Sequence, residues 1–433
     1  MGHPEVGSCF SNSDVSHPPI VRGQPILHQQ PELARTGEGG HFMGQGATVN
    51  SLCLMDSDQK NQGRVLAINP GSTSTKIGVY RRDCCEWETT VRHSDEELER
   101  FRGFSAFQQI DFRAAVIRRA LHAAGYTPAS FAAVAGRGGL LPPMACGTWI
   151  VNDAMIEELR QARRGEHASN LGAVLAARFA RAASVRAFIV DPVTADEWQD
   201  CARYSGTPLI ERSAIGHVLN TKAVARRYAR QAGRRYEELR LIVVHMGSGI
   251  TVSAHRDGRM IDQNTPEEGP FAPDRTGWLP VRQLIKLCFS GQYNEKQLDR
   301  MVFGEGGLYA YLGTRDLLEV ERRIDSGESA AARVYDAMVY KLTKEVGAMT
   351  AVLEGRVDAL LITGGMAHSE RLVGRLRASI EWIAPIAVYP GEDELRALAE
   401  GVFRVLDGEE EPKILAASES EEKHRKALEI GLE

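Results

Sequence analysis

The feature that most constrains this chain is a strand–turn–strand pattern that occurs twice. Val65 to Ile68 is a short apolar run ending in Asn69-Pro70-Gly71-Ser72, and Lys76 to Tyr80 resumes an alternating pattern. Arg240 to Val244 is a second apolar run. It enters His245-Met246-Gly247-Ser248-Gly249, and Ile250 to His255 runs back out. Both turns sit at one offset of 176 residues, which carries Asn69 onto His245 and Ser72 onto Ser248. Apolar runs bounded by Gly, Pro and Asn read as strand, tight turn, strand. Two such units at one offset predict two related halves facing a single cleft. Chance coincidence of two glycine turns is the plain alternative.

The segments between and after the turns alternate in type. Phe107, Ile110, Ala114, Ile117, Ala120 and Leu121 recur at helical spacing and predict a helix over 107–124. Further helices are expected near 153–164 and 168–183, then a buried strand Ala187 to Val190 that ends at Asp191-Pro192. Asp257-Gly258 predicts a hairpin turn. Residues 328–353 read as helix and Ala359 to Thr363 as a buried strand meeting Gly364-Gly365-Met366. A helix from about Ser369, a strand Ile386 to Tyr389 and a helix Asp393 to Leu406 follow. This alternation is the signature of an α/β protein. Residues 1–62 carry Ser, Pro, Gly, His and Gln without a period. They read as a disordered extension, or as the product of a mis-assigned start with Met55 near the true one. The tail 407–433 is charged and is expected to be frayed or helical on the surface.

Composition narrows the partners. The 433 residues suffice for two or three domains, and 43% hydrophobic with 25% charged residues is ordinary for a globular chain. The net charge of −5 excludes a global basic field, so nucleic acid and anionic lipid are not expected as partners. A substrate phosphate must be met by local groups. The seven cysteines show no metal-type spacing, which points to free thiols and a reducing compartment. No run of 18 apolar residues and no secretory pattern is visible, so the cytoplasm is the expected location and no membrane association is expected.

Glycine turns after apolar strands suit phosphate, because small residues let backbone N–H groups approach and hydroxyls add donors. Ser72, Thr73, Ser74 and Thr75 form a hydroxyl run beside Gly71. Gly364-Gly365 makes a third such turn. None has the Gly-Lys-Ser/Thr ending of a Walker loop, and none gives the dinucleotide fingerprint before a helix. Each turn alone is also explained by ordinary turn chemistry; the three together point to a nucleotide cleft.

At this point the residues resemble the acetokinase family of acetate and butyrate kinases. NPGSTSTK (69–76) resembles its first phosphate motif, VVHMGSG (243–249) its second, and LLITGGMAHS (360–369) its adenosine motif. GPFAPDRTGWLP (269–280), KLCFSG (286–291), TKAVARRYA (221–229) and VYPGEDE (388–394) are most similar to the butyrate-kinase branch. The resemblance covers about 64–406. It implies two related α/β domains of the actin-like ATPase, ribonuclease H-like fold around a nucleotide cleft. Residues 64–215 would form the N-terminal domain with the substrate site, and 216–392 the nucleotide-binding domain. The 393–406 helix would pack back on the first. It also implies ATP/ADP with Mg²⁺, a short-chain fatty acid and its acyl phosphate as partners, and a homo-oligomer of two or more chains.

The chemistry fits arginine and a metal ion. A fatty-acid carboxylate is already ionised at neutral pH, so the difficulty is bringing one anion onto another. By resemblance Arg137 holds the carboxylate and Arg275 the transferring phosphoryl group. His217 and His245 lie beside the γ-phosphate. Asp191 matches the catalytic aspartate and orients the Mg²⁺ shell or the substrate. Asn69, Gly71, Ser72, Ser74, Lys76, Gly247 and Gly249 would line the phosphates. Gly364, Gly365, Met366 and Ser369 would line the adenosine side, with Thr314, Arg315 and Asp316 beside them. Asn69 and one acid of Glu392-Asp393-Glu394 would serve the metal. Gap-free matching favours Asp393, and Glu394 competes closely.

Gly139 and Gly216 stand where acetate kinases carry valine and phenylalanine in the acyl pocket, alongside a proline matching Pro266. Loss of those side chains is expected to open room for a longer or branched tail, each buried methylene contributing about 0.8 kcal/mol. The implied function is a butyrate kinase. The alternatives are a branched-chain fatty acid kinase acting on isobutyrate or isovalerate, and a nucleotide-binding regulator of the same fold without transfer activity.

Overall fold

The computed structural model describes residues 63–416 apart from Asp83. The extension read over 1–62 and the tail from 417 onward lie outside the described residues. Everything described belongs to one compact unit.

Fourteen strands are present among the described residues. They are β1 Arg64–Pro70, β2 Ser74–Arg81, β3 Cys84–Arg92, β4 Ala133–Gly136, β5 Thr148–Ile150, β6 Arg186–Val190 and β7 Tyr204–Thr207. Then come β8 Ile210–Glu211, β9 Leu241–Met246, β10 Ile250–Arg256, β11 Arg259–Gln263, β12 Ala359–Gly364, β13 Ile386–Pro390 and β14 Lys413–Ile414. One sheet runs β14-β5-β6-β4-β1-β2-β3, a second runs β11-β10-β9-β12-β13, and β7 pairs with β8 alone.

The two large sheets follow one path. In each, three strands form an antiparallel meander, the first of which pairs in parallel with a fourth, and the fourth with a fifth. The repeat in sequence is therefore a repeat in topology. Asn69 pairs with Lys76 and Pro70 with Thr75 across the first turn, and His245 with Thr251 and Met246 with Ile250 across the second. The shared offset holds up to Pro70 and Met246; the second turn is then one residue shorter.

Each sheet is covered on both faces, which is why its central strands read as unbroken apolar runs. Leu66, Ile68, Ile77 and Val79 pack on Ile117 and Leu121 of the helix Ile110–Ala123 and on Leu171 and Leu175 of the helix Asn170–Ala183. The alternate residues Val65, Ala67 and Tyr80 meet Leu395, Leu398 and Val402 of the helix Glu394–Leu406. In the second sheet Ile242 and Val244 meet Met338, Leu342 and Val346 of the helix Ser329–Val352. Leu241 and Val243 meet Val224 and Ala225 of the helix Val218–Gln231. Period-two alternation thus sorts one strand's side chains to two cores.

The start of the tail differs from expectation. Lys413–Ile414 pairs in parallel with Trp149–Ile150, and Glu410 accepts from the Thr148 N–H and pairs with Arg404 at 2.8 Å. Backbone pairing to the open edge of β5 and a partnered acid hold this stretch as an edge strand. No described helix is long and apolar enough to cross a membrane. Cys85, Cys146, Cys201 and Cys288 are free thiols.

Candidate active site

The first glycine turn is closed by the Gly71 N–H donating to the Ser74 carbonyl at 2.8 Å. Beneath it lies Arg113, fully buried in the helix Ile110–Ala123. Its Nη1 donates to the Ser74 carbonyl and to Thr75 Oγ1, both at 3.0 Å, and its Nη2 to the Ser72 carbonyl at 3.1 Å. Burial lowers its pKa to about 10, which leaves it charged at neutral pH. Three bonds from one rigid fork fix the turn from below. No motif in the sequence singles out Arg113. Its signal was a charge on the same helical face as Ile110, Ala114 and Ile117.

Two glutamates enter the site after β13. Glu394, at the start of the helix Glu394–Leu406, accepts from Asn69 Nδ2 and stands 2.8 Å from Arg137 Nη1. Arg137, 8% exposed, follows β4 directly. Glu392 stands 3.2 Å from His245 Nε2 and against Gly247, where a Cβ would lie 2.7 Å from its Oε1. The His245 contact, with Lys76 and Arg137 nearby, outweighs burial and holds Glu392 below the usual carboxylate range. Both approaches lie off the hydrogen-bond axis, so Arg137 Nη1 and His245 Nε2 are buried without a hydrogen-bond partner. Asp393, favoured by gap-free matching, turns to Arg227 at 3.2 Å instead.

The histidines form a stack. The rings of His217 and His245 lie 3.9 Å apart at 13°. His245 Nδ1 meets Asn220 Oδ1 at 2.9 Å, and His217 Nδ1 meets Thr251 Oγ1 at 2.8 Å. An amide oxygen only accepts, so His245 carries its proton on Nδ1 and turns Nε2 toward Glu392. Burial, then the neighbouring His245, Arg275 and Arg137, push His217 well below its ordinary value and keep it neutral. Arg275 lies over the second turn: a Cβ on Gly249 would meet its Nη1 at 2.4 Å. Only glycine admits the guanidinium there.

Asp191 differs from its expected orientation. Its Oδ1 accepts from the Gly147 N–H at 2.7 Å, and its Oδ2 pairs with Arg226 at 2.9 Å. It is 1% exposed with a φ of +39°, a conformation costly for a side chain. Burial pushes its pKa up, but Arg226, Lys222 and Arg404 outweigh it and hold it below the ordinary value. The carboxylate thus pairs with an internal cation.

On the adenosine side, Gly364 (φ +94°) exchanges backbone hydrogen bonds with Gly391, at 3.1 and 2.9 Å. This ties the third glycine turn to the segment carrying Glu392. A Cβ on Gly364 would meet the Met246 carbonyl at 2.3 Å, whereas Gly365 borders open space. Met366 is buried. Ser369 caps the helix Glu370–Ile380 and donates to Glu321 at 2.5 Å. Thr314, Arg315 and Asp316 are engaged locally. Thr314 donates to Glu319 at 2.6 Å, Arg315 lies 3.8 Å over the Tyr309 ring, and Asp316 caps the helix Leu317–Asp325. Their link to the phosphate side runs through Asp274, 4.0 Å from Arg315 and 3.8 Å from Arg275.

The acyl residues correct an expectation. Neither missing side chain leaves room where it would have pointed. A Cβ on Gly139 would meet Asn170 Oδ1 at 2.5 Å and Leu159 at 2.8 Å, and one on Gly216 would meet Gln263 Oε1 at 2.5 Å. Neighbouring side chains have filled the space. Pro266 is half-buried, three residues beyond Gln263.

Among the described residues no group of three or more His, Cys, Asp or Glu is placed to hold a metal ion. The donors at hand are the carboxylates of Glu392 and Glu394 and the amide of Asn69. That hard-oxygen set fits Mg²⁺, which keeps several waters and touches few side chains.

The doubled sheet and its glycine turns define an α/β protein with the actin-like ATPase fold. The fold is that of acetate kinase from Porphyromonas gingivalis, with TM-score 0.66 and 17% identity over 79% of this chain and 100% of the other. A propionate kinase from Francisella tularensis subsp. tularensis SCHU S4 gives TM-score 0.60 and 16% identity, over 78% and 99%. The profile of the Acetokinase family matches residues 212–383. A probable butyrate kinase from Clostridium botulinum (strain Alaska E43 / Type E3) is 48% identical over 353 residues, 81% of this chain and 99% of the relative. The chain belongs to the acetokinase family.

Proposed function

We propose that this protein is an ATP-dependent kinase of short-chain fatty acids, interconverting ATP and butanoate with ADP and butanoyl phosphate by direct in-line transfer. The observation that carries the reading is the meeting of Arg137, His245 and Arg275 at two glycine turns, with the buried Nη1 donor of Arg137 left without a hydrogen-bond partner. Buried donors without partners are costly unless a ligand supplies acceptors. Carboxylate and phosphoryl oxygens are such acceptors.

The acid needs no general base, and a neutral His217 agrees with that. Arg137 is assigned the substrate carboxylate, which its planar fork can take by two oxygens. Glu394 and Asn69 orient that guanidinium beforehand. His245, its ring fixed through Asn220, lines the phosphate side, and Arg275 over Gly249 meets the charge that develops in transfer. Mg²⁺, when bound, supplies neutralisation of the phosphate oxygens, and Glu392, Glu394 and Asn69 would hold it. Residues 64–215 are assigned the substrate side and 216–392 the nucleotide side. Asp191 acts by holding Arg226 and the backbone after Cys146. Exposed Trp278, Val281, Ile285 and Phe289 support assembly into a homo-oligomer.

The test is a panel of unsubstituted acids at saturating MgATP. Butyrate is expected to exceed acetate in kcat/KM and at least to match isobutyrate and isovalerate. A tenfold advantage for isobutyrate would overturn the linear preference.

A further inference from the structure

Gln263 closes β11 and is 0% exposed, yet neither Oε1 nor Nε2 of its amide has a hydrogen-bond partner. Its backbone is satisfied: the N–H donates to Asp262 Oδ1 at 2.8 Å and the carbonyl accepts from Arg212 at 2.9 Å. Only the side-chain amide is left over. That amide lies against Gly216, where a Cβ would be 2.5 Å from Oε1 and 2.7 Å from Nε2. Gly216 adjoins His217, whose ring stacks on His245. Gly216, against the amide, and Pro266, three residues further along the chain, belong to the residues assigned to the acyl pocket. An apolar side chain would fill this corner without leaving polar atoms unpaired. An amide with both ends unpaired, at the acyl end of the site, calls for a ligand that supplies both an acceptor and a donor. A hydroxyl does so in one atom: it donates to Oε1 and accepts from Nε2.

We infer that Gln263 is a specificity-determining residue, and that the favoured acid is a short-chain carboxylic acid bearing a hydroxyl on its acyl chain. The inference rests on the kinase reading above and deepens it by naming the substrate class. A site built around a substrate hydroxyl disfavours the analogue lacking it, because the amide is then left unpaired.

The test measures kcat/KM for butyrate and for 2-, 3- and 4-hydroxybutyrate at saturating MgATP, with the full chain and with Gln263→Leu. At least one hydroxy acid is expected to exceed butyrate by about tenfold or more in the unaltered protein. Gln263→Leu is expected to lower that ratio at least about tenfold. If Gln263→Leu does not fold, the ratio in the unaltered protein decides alone, with Gln263→Asn as the second variant. Butyrate turned over as well as or better than every hydroxy acid overturns the inference. It would assign the amide a trapped water and leave the kinase reading standing. Acyl phosphate from no acid at all would remove the kinase reading and this inference together.

Discussion

At Gly216 and Gln263, one residue's missing side chain is another's space. Phenylalanine at position 216 would drive its Cβ into the Gln263 amide. Gly216→Phe is therefore expected to lower the melting temperature, by the equivalent of about 1–3 kcal/mol for overpacking. Gln263→Ala should restore much of it in the double variant, because the two changes share one volume. Additive losses in the cycle would mean that the contact is not the cause. The sequence made Gly216 conspicuous but misjudged its consequence. A glycine in place of a large residue reads as empty space until the neighbour that fills it is known, and Gln263 is 47 residues away in the chain. Arg113 and Glu392 were obscured for the same reason: their partners are distant in sequence.

At the scale of elements, Arg137 is positioned by a helix that it touches closely. A Cβ on Gly172, in the helix Asn170–Ala183, would lie 2.3 Å from the Arg137 carbonyl. Gly172→Ala must therefore push helix and strand end apart. The expected outcome is a higher KM for the acid than for ATP, each relative to the unaltered protein. Equal changes in both would show general loosening. β10 carries a second prediction. His255 is pushed down to about 3 by burial, then by Lys222 and Arg226, while it bonds Tyr236 and Ser253. An unfolded histidine titrates near 6.5. Between these values the unfolded chain binds a proton that the folded chain does not, so stability is full above about pH 6.5 and falls as pH drops. The melting temperature is expected to decline from pH 7 to pH 5, and His255→Gln to shallow that slope while lowering stability at pH 7. An unchanged slope would assign it to other buried histidines.

For the molecule as a whole, the doubled turn at one offset was legible because strand periodicity and glycine turns are local signals. It anticipated the doubled topology of the sheets. The β-edge pairing of Lys413–Ile414 was not legible, since two residues carry no period and the partner strand is far away. The inward turn of Asp191 was equally hidden, as it depends on Arg226 from a helix beyond β8. What joins the halves into a site is the return of the chain after β13: it brings Glu392 to His245 of the second sheet and Glu394 to Asn69 and Arg137 of the first.

The central claim is that this cleft transfers a phosphoryl group to a carboxylate. Hydroxylamine trapping of acyl phosphate from MgATP and butyrate, for the full chain and for Arg275→Ala, tests it most directly. Acyl hydroxamate is expected from the unaltered protein, and a kcat lower by about 10²–10³ in Arg275→Ala with the KM for ATP little changed. ATP bound with no acyl hydroxamate formed would contradict it, as would an unchanged kcat in Arg275→Ala for the place given to that arginine.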